Sequence, residues 1–249
     1  MELIKHPLSF YVDLLKARTP FAFSRWGDGE ILTAFGGQYI GRRNSNGCTF
    51  TQSLSDDLRD VLRANQPYYH GLLLVARSKR AAEIATLCAE QKIRIEWVDG
   101  DVLLNAMLRG RLWPLIEQVR QYRILYVGNE RLRGLNGRGL GFFDYTVYVQ
   151  PPSQNAHTVK DQLLDLIWQN VEKHGINFIG WSSGLATKVM LDATFVRFPN
   201  VTQIDFGSSF DGYFPPMPNV KPGGSRSYIR VNKLDWKDLL AKNTGKGSE

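Results

Sequence analysis

The sequence predicts an α/β fold, Rossmann-like, with a mostly parallel sheet and helices on both faces. Three observations carry this. Short β-rich runs alternate with helical periods of about 10 to 15 residues, the pattern of strands joined by crossover helices. The predicted strands empty into polar or glycine-rich loops, where open parallel sheets bind ligands. The 249 residues, 43% of them hydrophobic, suffice for a full core. Residues 1–241 therefore read as one α/β domain, and Lys242 to Glu249, of low complexity, as a disordered tail.

Taken in order, Pro7 to Ala17 has amphipathic helical spacing, with Phe10, Leu14 and Leu15 on one face. Phe21 and Phe23 alternate with smaller residues as in a half-buried strand, which runs into the charged turn Gly27-Asp28-Gly29-Glu30. Gly36-Gly37 and the segment from Gly41 to Gly47 read as polar loop. Gln52 to Ala64 is predicted helical, with Leu54, Leu58, Val61 and Leu62 at core spacing. A buried strand is predicted from Gly71 to Ala76 and a helix from Arg80 to Glu90. Ile93 to Val98 is the next strand, followed by a helical stretch broken at Gly110 and Pro114. The strand Arg123 to Gly128 opens into a basic, glycine-rich loop, Asn129 to Gly139, that reads as flexible. Tyr145 to Val149 is a strand, Pro151-Pro152 a breaker and Thr158 to Lys173 a long helix. Strands at Ile176 to Trp181 and Val201 to Phe206 flank a helix from Leu185 to Val196. Pro215 to Gly224, rich in Pro and Gly, reads as a lid or an ordered surface loop.

Charge and composition narrow the function. A net charge of +7 and a pI near 9.4 point to an anionic partner: a nucleotide diphosphate, a nucleic acid or an acidic surface. Two cysteines, Cys48 and Cys88, give no disulfide framework, which suits a reducing cytoplasm, bacterial or that of a host if the chain is phage-encoded. Lys5, His6 and Asp13 interrupt the first fifteen residues, unlike a signal peptide, and no run reaches the length of a membrane span. The glycines at 134, 137, 139 and 141 do not fit a dinucleotide fingerprint, and no P-loop follows any strand. Histidines 6, 70, 157 and 174 have no i, i+3 or i, i+4 partner, so a zinc site is not expected.

The chemistry centres on Arg25-Trp26-Gly27-Asp28-Gly29-Glu30. In an extended segment, residues two apart project to one side, so Asp28 and Glu30 would both face one hard cation or polar ligand. Arg25 is at hand to pair an anion. The plain alternative is an exposed Asp-Gly turn. A second candidate is Ser182-Ser183-Gly184, at the end of a strand and the start of a helix carrying Lys188. Small residues and free amides there make a phosphate cradle, or simply a serine cap.

The run Arg-x-Gly-Asp-Gly-Glu after a short apolar strand resembles the signature loop of the GT-D glycosyltransferases. These are nucleotide-sugar enzymes whose Asp-x-Glu motif engages a divalent metal and the donor diphosphate. The resemblance implies that Asp28 and Glu30 hold manganese or magnesium, with Arg25, Gly27 and Gly29 beside a donor such as a UDP-sugar. It extends to the segment from Asn177 to Thr187, placing Ser182, Ser183 and Gly184 near the donor phosphates. It also covers Gln150 to His157, where Asn155 would line the nucleotide pocket or, on its residues alone, cap the following helix. The segment from Asp205 to Tyr213 resembles the family's Asp-x-Gly-His turn, but Ser208 stands in place of His and Gly212 in place of an acid. Asp211, one position earlier, takes over that role, and Asp211 or Asp205 would be the base that deprotonates an acceptor hydroxyl.

The implied activity is metal-dependent sugar transfer from a nucleotide diphosphate to an acceptor hydroxyl, by default on a surface glycan or glycoprotein. The basic balance keeps a second acceptor open, modified bases of phage DNA. Two other classes stand beside it: a non-catalytic nucleic-acid-binding module, and a metal-dependent phosphohydrolase, which would want more His or Asp ligands than the sequence shows.

Overall fold

The computed structural model describes residues 2–44, 47–137, 139–214 and 234–245. Seven strands form one sheet: β1 (Ala22–Trp26), β2 (Tyr69–Leu72), β3 (Trp97–Asp99), β4 (Ile124–Gly128), β5 (Tyr145–Val149), β6 (Phe178–Ser182) and β7 (Thr202–Asp205). Their order is β3-β2-β1-β7-β6-β4-β5, and every pairing is parallel. The predicted α/β class with a parallel sheet is therefore the observed one.

Helices cover both faces because alternate strand residues are apolar on both sides. Phe23, Ile124, Phe178 and Ile204 pack against α1 (Leu8–Lys16), α5 (Val102–Leu108), α6 (Trp113–Val119) and α9 (Trp236–Asn243). On the other face, Ala22, Leu125, Ile179 and Trp181 meet α7 (Lys160–His174) and α8 (Ala186–Arg197). Trp26, Leu72 and Trp97 meet α2 (Asp28–Phe35), α3 (Gln52–Ala64) and α4 (Leu74–Glu90) on that same side.

The seam between β1 and β7 positions the site. Those strands pair only at Ala22 with Gln203 and Phe23 with Ile204. Beyond Phe23 they part: Trp26 stays in register with Leu72 of β2, and the Phe206 amide turns to the Trp181 carbonyl of β6. The sequence order of the strands reverses at this seam, and a crevice beyond the carboxyl ends follows from that.

Several expectations are corrected. The turn at Gly27 to Glu30 is the first turn of helix α2, not an extended segment. The apolar run from Gly71 does not continue as a strand. β2 ends at Leu72, Leu73 is an extended cap, and the Asp101 carboxylate accepts the Leu74 amide at 2.6 Å to start α4. Arg80, the predicted helix start, is instead a non-helical kink inside α4. β3 is confined to Trp97–Asp99. The basic loop after β4 is not loose: Glu130–Leu135 form a 3₁₀ turn anchored by buried Leu132 and Leu135. The expected tail is partly ordered, since Lys242 and Asn243 end α9, and Asn243 is wholly buried. The Pro215 to Gly224 expectation and residues 246–249 lie outside the described residues. Among the described residues no helix is long and apolar enough to cross a membrane.

Candidate functional site

The first turn of α2 is built by its own side chains. Gly27 caps the helix in an extended conformation, and its amide donates to Glu30 Oε2 at 3.0 Å. The Gly29 amide donates to Asp28 Oδ1 at 3.0 Å. A Cβ at Gly27 would stand 3.0 Å from Glu30 Oε2, so the return of that carboxylate needs a glycine there. Two residues on a helix are about 200° apart. Asp28 and Glu30 consequently point in different directions, both partly buried, and Glu30, with its side chain 15% exposed, turns toward Lys188.

Glu30 enters a buried ion network. Lys188 Nζ lies 3.0 Å from Glu30 Oε1 and 2.8 Å from Asp205 Oδ2, with Lys188 and Asp205 almost wholly buried. Asp205 also accepts the Arg25 amide at 3.1 Å and the Gly207 amide at 2.9 Å. Burial alone would push Lys188 down, but Asp205 and Glu30 reverse that and hold its pKa above the usual lysine value. Burial alone would raise Glu30, and Lys188 with the Gly27 amide brings it below the usual carboxylate value instead. Glu30 and Lys188 are thus both charged at neutral pH.

Arg25 does not face a ligand. Its Nε donates to the Gly100 carbonyl at 3.0 Å, and its Nη1 to the Phe206 carbonyl at 2.6 Å and Ser209 Oγ at 3.2 Å. The side chain is 4% exposed, so the expectation that it pairs an anion is replaced by a role in tying β1 to the loops after β3 and β7. The Gly100 turn reaches Arg25 because two glycines let it: a Cβ on Gly100 would lie 2.7 Å from the Gly71 backbone.

The second candidate turn lies beside the first. A Cβ on Gly29 would meet Leu185 at 3.5 Å, and Lys188 of α8 bonds Glu30 of α2. Ser182 and Tyr126 share a hydrogen bond at 2.9 Å between β6 and β4. The Ser183 amide is taken by Thr187 Oγ1 at 3.1 Å. Gly184 has φ +68° and open space where a side chain would be. A narrow crevice, part of it open to solvent and with only about 20 Å³ of enclosed volume, is lined by Cys48, Thr49, Asn155, His157, Ser183 and Leu185 among others. Asn155 adopts φ +52° and accepts the Thr49 amide on Oδ1 at 2.8 Å. It thus holds the Cys48–Thr49 segment at the crevice mouth rather than capping the following turn.

Asp211 lies apart from the network, in a 3₁₀ turn after β7, with Arg131 Nη2 2.7 Å from its Oδ1. Asp205, buried and bonded on both oxygens, is not placed to take a proton from an acceptor. Arg133 lies over the Tyr148 ring at 4.6 Å and pairs with Glu130, while Arg138 is outside the described residues.

No protein-family model and no curated protein sequence matches the chain. Two solved structures match its shape. One is a selenomethionine-substituted domain of unknown function 1792 (DUF1792), with TM-score 0.58, 18% identity, and 85% of this chain and 82% of that one covered. The other is described as a new glycosyltransferase (DUF1792) from Streptococcus sanguinis, with TM-score 0.59, 16% identity and 85% of each chain covered. The chain shares the DUF1792 fold.

Within that fold, the residues fit a divalent ion only in part. Asp28 has Oδ2 without a partner among the described residues. Glu30 has both oxygens committed, one of them to an ammonium group. Among the described residues no group of three His, Cys, Asp or Glu side chains is gathered to hold a metal. The expectation that an extended segment projects Asp28 and Glu30 to one side is corrected, because the helical turn separates them.

Lys188 and His157 stand at these loops without a role assigned by the motifs, and Asp57 joins through His157; Arg131, which with Arg133 and Arg138 the sequence offered either to a diphosphate or to solvent, is paired with Asp211. Lys188 had a visible signal: it is a lone charge inside the apolar run Ala186 to Leu191, and a charge on a buried helix face needs a partner. His157 Nε2 pairs with Asp57 Oδ2 at 2.7 Å across 100 residues, and nothing local marks that contact.

Proposed function

We propose that the protein is a glycosyltransferase that moves a sugar from a nucleotide diphosphate donor, such as a UDP-sugar, to an acceptor hydroxyl. The observation that carries this reading is the joining of the first turns of α2 and α8 by Glu30 and Lys188, 158 residues apart, at 3.0 Å, in a fold shared with a protein described as a glycosyltransferase. In this reading the diphosphate would rest over the open Gly184 turn at the start of α8, with the nucleoside on the solvent side of the crevice lined by Asn155, Thr49 and Ser183. A helix start favours negative charge at that turn.

In the reaction the anomeric C–O bond to the diphosphate breaks, its electron pair leaves with the diphosphate, and the acceptor oxygen bonds to the anomeric carbon. The acceptor proton goes to Asp211, whose carboxylate Arg131 orients. Charge grows on the leaving diphosphate, and preorganised donors and the α8 terminus act on it. Asp28 is the acid placed to hold a divalent ion, manganese or magnesium, whose charge would offset that of the diphosphate.

The acceptor proposed is a hydroxyl on a glycan or glycoprotein. A modified base in DNA is the second reading, favoured only by the net charge of +7.

The test is a thermal-shift panel of nucleotide sugars with and without manganese, followed by assay of nucleoside diphosphate release. A donor that binds the native state raises the melting temperature, by about 2.7 kcal/mol of stabilisation at a hundred times its dissociation constant. Asp28→Ala should remove that response and lower turnover by about 100-fold or more. A panel in which no nucleotide sugar shifts the melt or is turned over sinks the reading.

A further inference from the structure

We infer that Glu30 is a positioning residue rather than a ligand for donor or metal, and that Lys188 is the resident cation of this site. The inference deepens the glycosyltransferase reading and rests on it only for the identity of the donor. Its evidence is geometric. The network gives each oxygen of Glu30 one partner, the Gly27 amide at 3.0 Å and Lys188 Nζ at 3.0 Å. Asp205 is likewise filled, by Lys188, the Arg25 amide and the Gly207 amide. An oxygen-bound manganese or magnesium ion sits about 2.0–2.2 Å from its carboxylate, so an ion on Glu30 would crowd a buried ammonium of like charge. Lys188 already neutralises one of the two acids, and the Asp205 remainder is met by main-chain amides.

The network has a structural task. Past Phe23 the strands β1 and β7 make no further ladder pairs, and the contacts that span the gap are Arg25 to Asp205, Arg25 to Phe206, and Lys188 to both acids. Through these, Glu30 fixes the angle at which α2 leaves β1, and with it the position of Asp28. Asp28 is then the single acid of this loop that meets the ligand.

The experiment titrates manganese chloride alone, read by electron paramagnetic resonance of the free ion, and measures melting temperatures in parallel. The proteins are the wild type, Asp28→Asn, Glu30→Gln, Lys188→Met and the double variant Glu30→Gln/Lys188→Met. Gln at position 30 keeps the side-chain length and one acceptor oxygen, for either the Gly27 amide or Lys188, while its NH2 faces the other donor. Glu30→Gln should keep manganese affinity within about twofold of the wild type, whereas Asp28→Asn should weaken it at least tenfold. Lys188→Met should melt lowest, since it strands two buried carboxylates, and adding Glu30→Gln to it should recover part of the loss.

Loss of manganese binding in Glu30→Gln at unchanged stability overturns the inference, as does a stability cycle in which positions 30 and 188 do not couple. A wild type that binds no manganese leaves Glu30 without a metal and supports the inference through the stability cycle. A Glu30→Gln protein too unstable to titrate also supports it, and the double variant then carries the titration. Absence of turnover with every nucleotide sugar would count against the glycosyltransferase reading and leave the coupling of Glu30 and Lys188 as it stands.

Discussion

A second buried acid shows how a single side chain is tuned by its surroundings. Asp192, on α8, accepts the Tyr68 hydroxyl at 2.9 Å, and Tyr68 stacks on His70 with ring centroids 4.3 Å apart. Burial raises the Asp192 carboxyl to about 6, with the Tyr68 hydrogen bond offsetting only part of the effect. Burial likewise lowers His70 to about 4. The signs follow from linkage. A raised acid favours the fold fully below its unfolded value near 4, and that benefit is lost as pH rises through 6. A lowered histidine acts in the other direction, costing stability as pH falls from about 6.5 toward 4. At pH 7.5 the Asp192 charge is therefore a burden on the folded state. Asp192→Asn keeps an acceptor for Tyr68 and removes the charge, so it should stabilise the protein at pH 7.5 by on the order of 1 kcal/mol. Urea denaturation at pH 7.5 and pH 4 checks this: the gain should vanish at pH 4, and a loss of stability at pH 7.5 refutes the account.

At the scale of elements, α9 is tied to the body by one amide side chain. Asn243 Oδ1 accepts the Leu112 amide at 2.8 Å, and its Nδ2 donates to the Met107 carbonyl and the Tyr213 hydroxyl, both at 2.8 Å. Asn243→Ala strands the Leu112 amide and the Tyr213 hydroxyl, while the Met107 carbonyl keeps the Gly110 amide, at about 1–3 kcal/mol for each stranded group before relaxation. The expected result is a loss of about 3 kcal/mol, seen as a fall in melting temperature of about 6–12 °C for a chain of this size. A fall below about 2 °C would show that α9 docks without this anchor. The sequence around Asn243 is Lys-, Gly- and Ser-rich, and composition could not reveal a side chain whose partners are 30, 131 and 136 residues away. Elements with their own local pattern were legible: Gln52–Ala64 and Tyr145–Val149 have the same bounds in sequence and structure. The run Gly71 to Ala76 was not, since a short apolar run fits a strand or the first turn of a buried helix equally. At the candidate site the loops were legible but the wiring was not. Asn155 and Ser183 line one crevice, whereas the burial of Arg25 and the capture of Glu30 by Lys188 depend on packing between distant segments.

Across the whole molecule, the sheet consists of two runs of strands that meet at a seam with two ladder pairs. β1, β2 and β3 with their helices lie on one side, and β7, β6, β4 and β5 on the other. Parting the carboxyl ends of β1 and β7 opens the crevice, and it removes main-chain hydrogen bonds that would otherwise join the halves there. Side-chain charge takes their place: Glu30 from one half, Asp205 from the other, and Lys188 between them. Stability at the seam should then follow the ionisation of these groups. The Glu30 pKa is depressed in the fold, so its contribution is fully present above the unfolded value near 4.3 and is lost as pH falls through the lower folded value. The Lys188 pKa is raised, so its contribution is present below about 10.4 and is lost only as pH rises through the higher folded value. Between about pH 5 and pH 10 the network should add a constant amount to stability. Glu30→Gln removes the acid limb alone. Its melting temperature should lie below that of the wild type at pH 7, and the gap should close as pH drops from about 4.5 toward 3. Melting curves of the two proteins collected over that range decide the matter: a gap of constant width down to pH 3 would mean that the seam is held by packing, with the charges as bystanders.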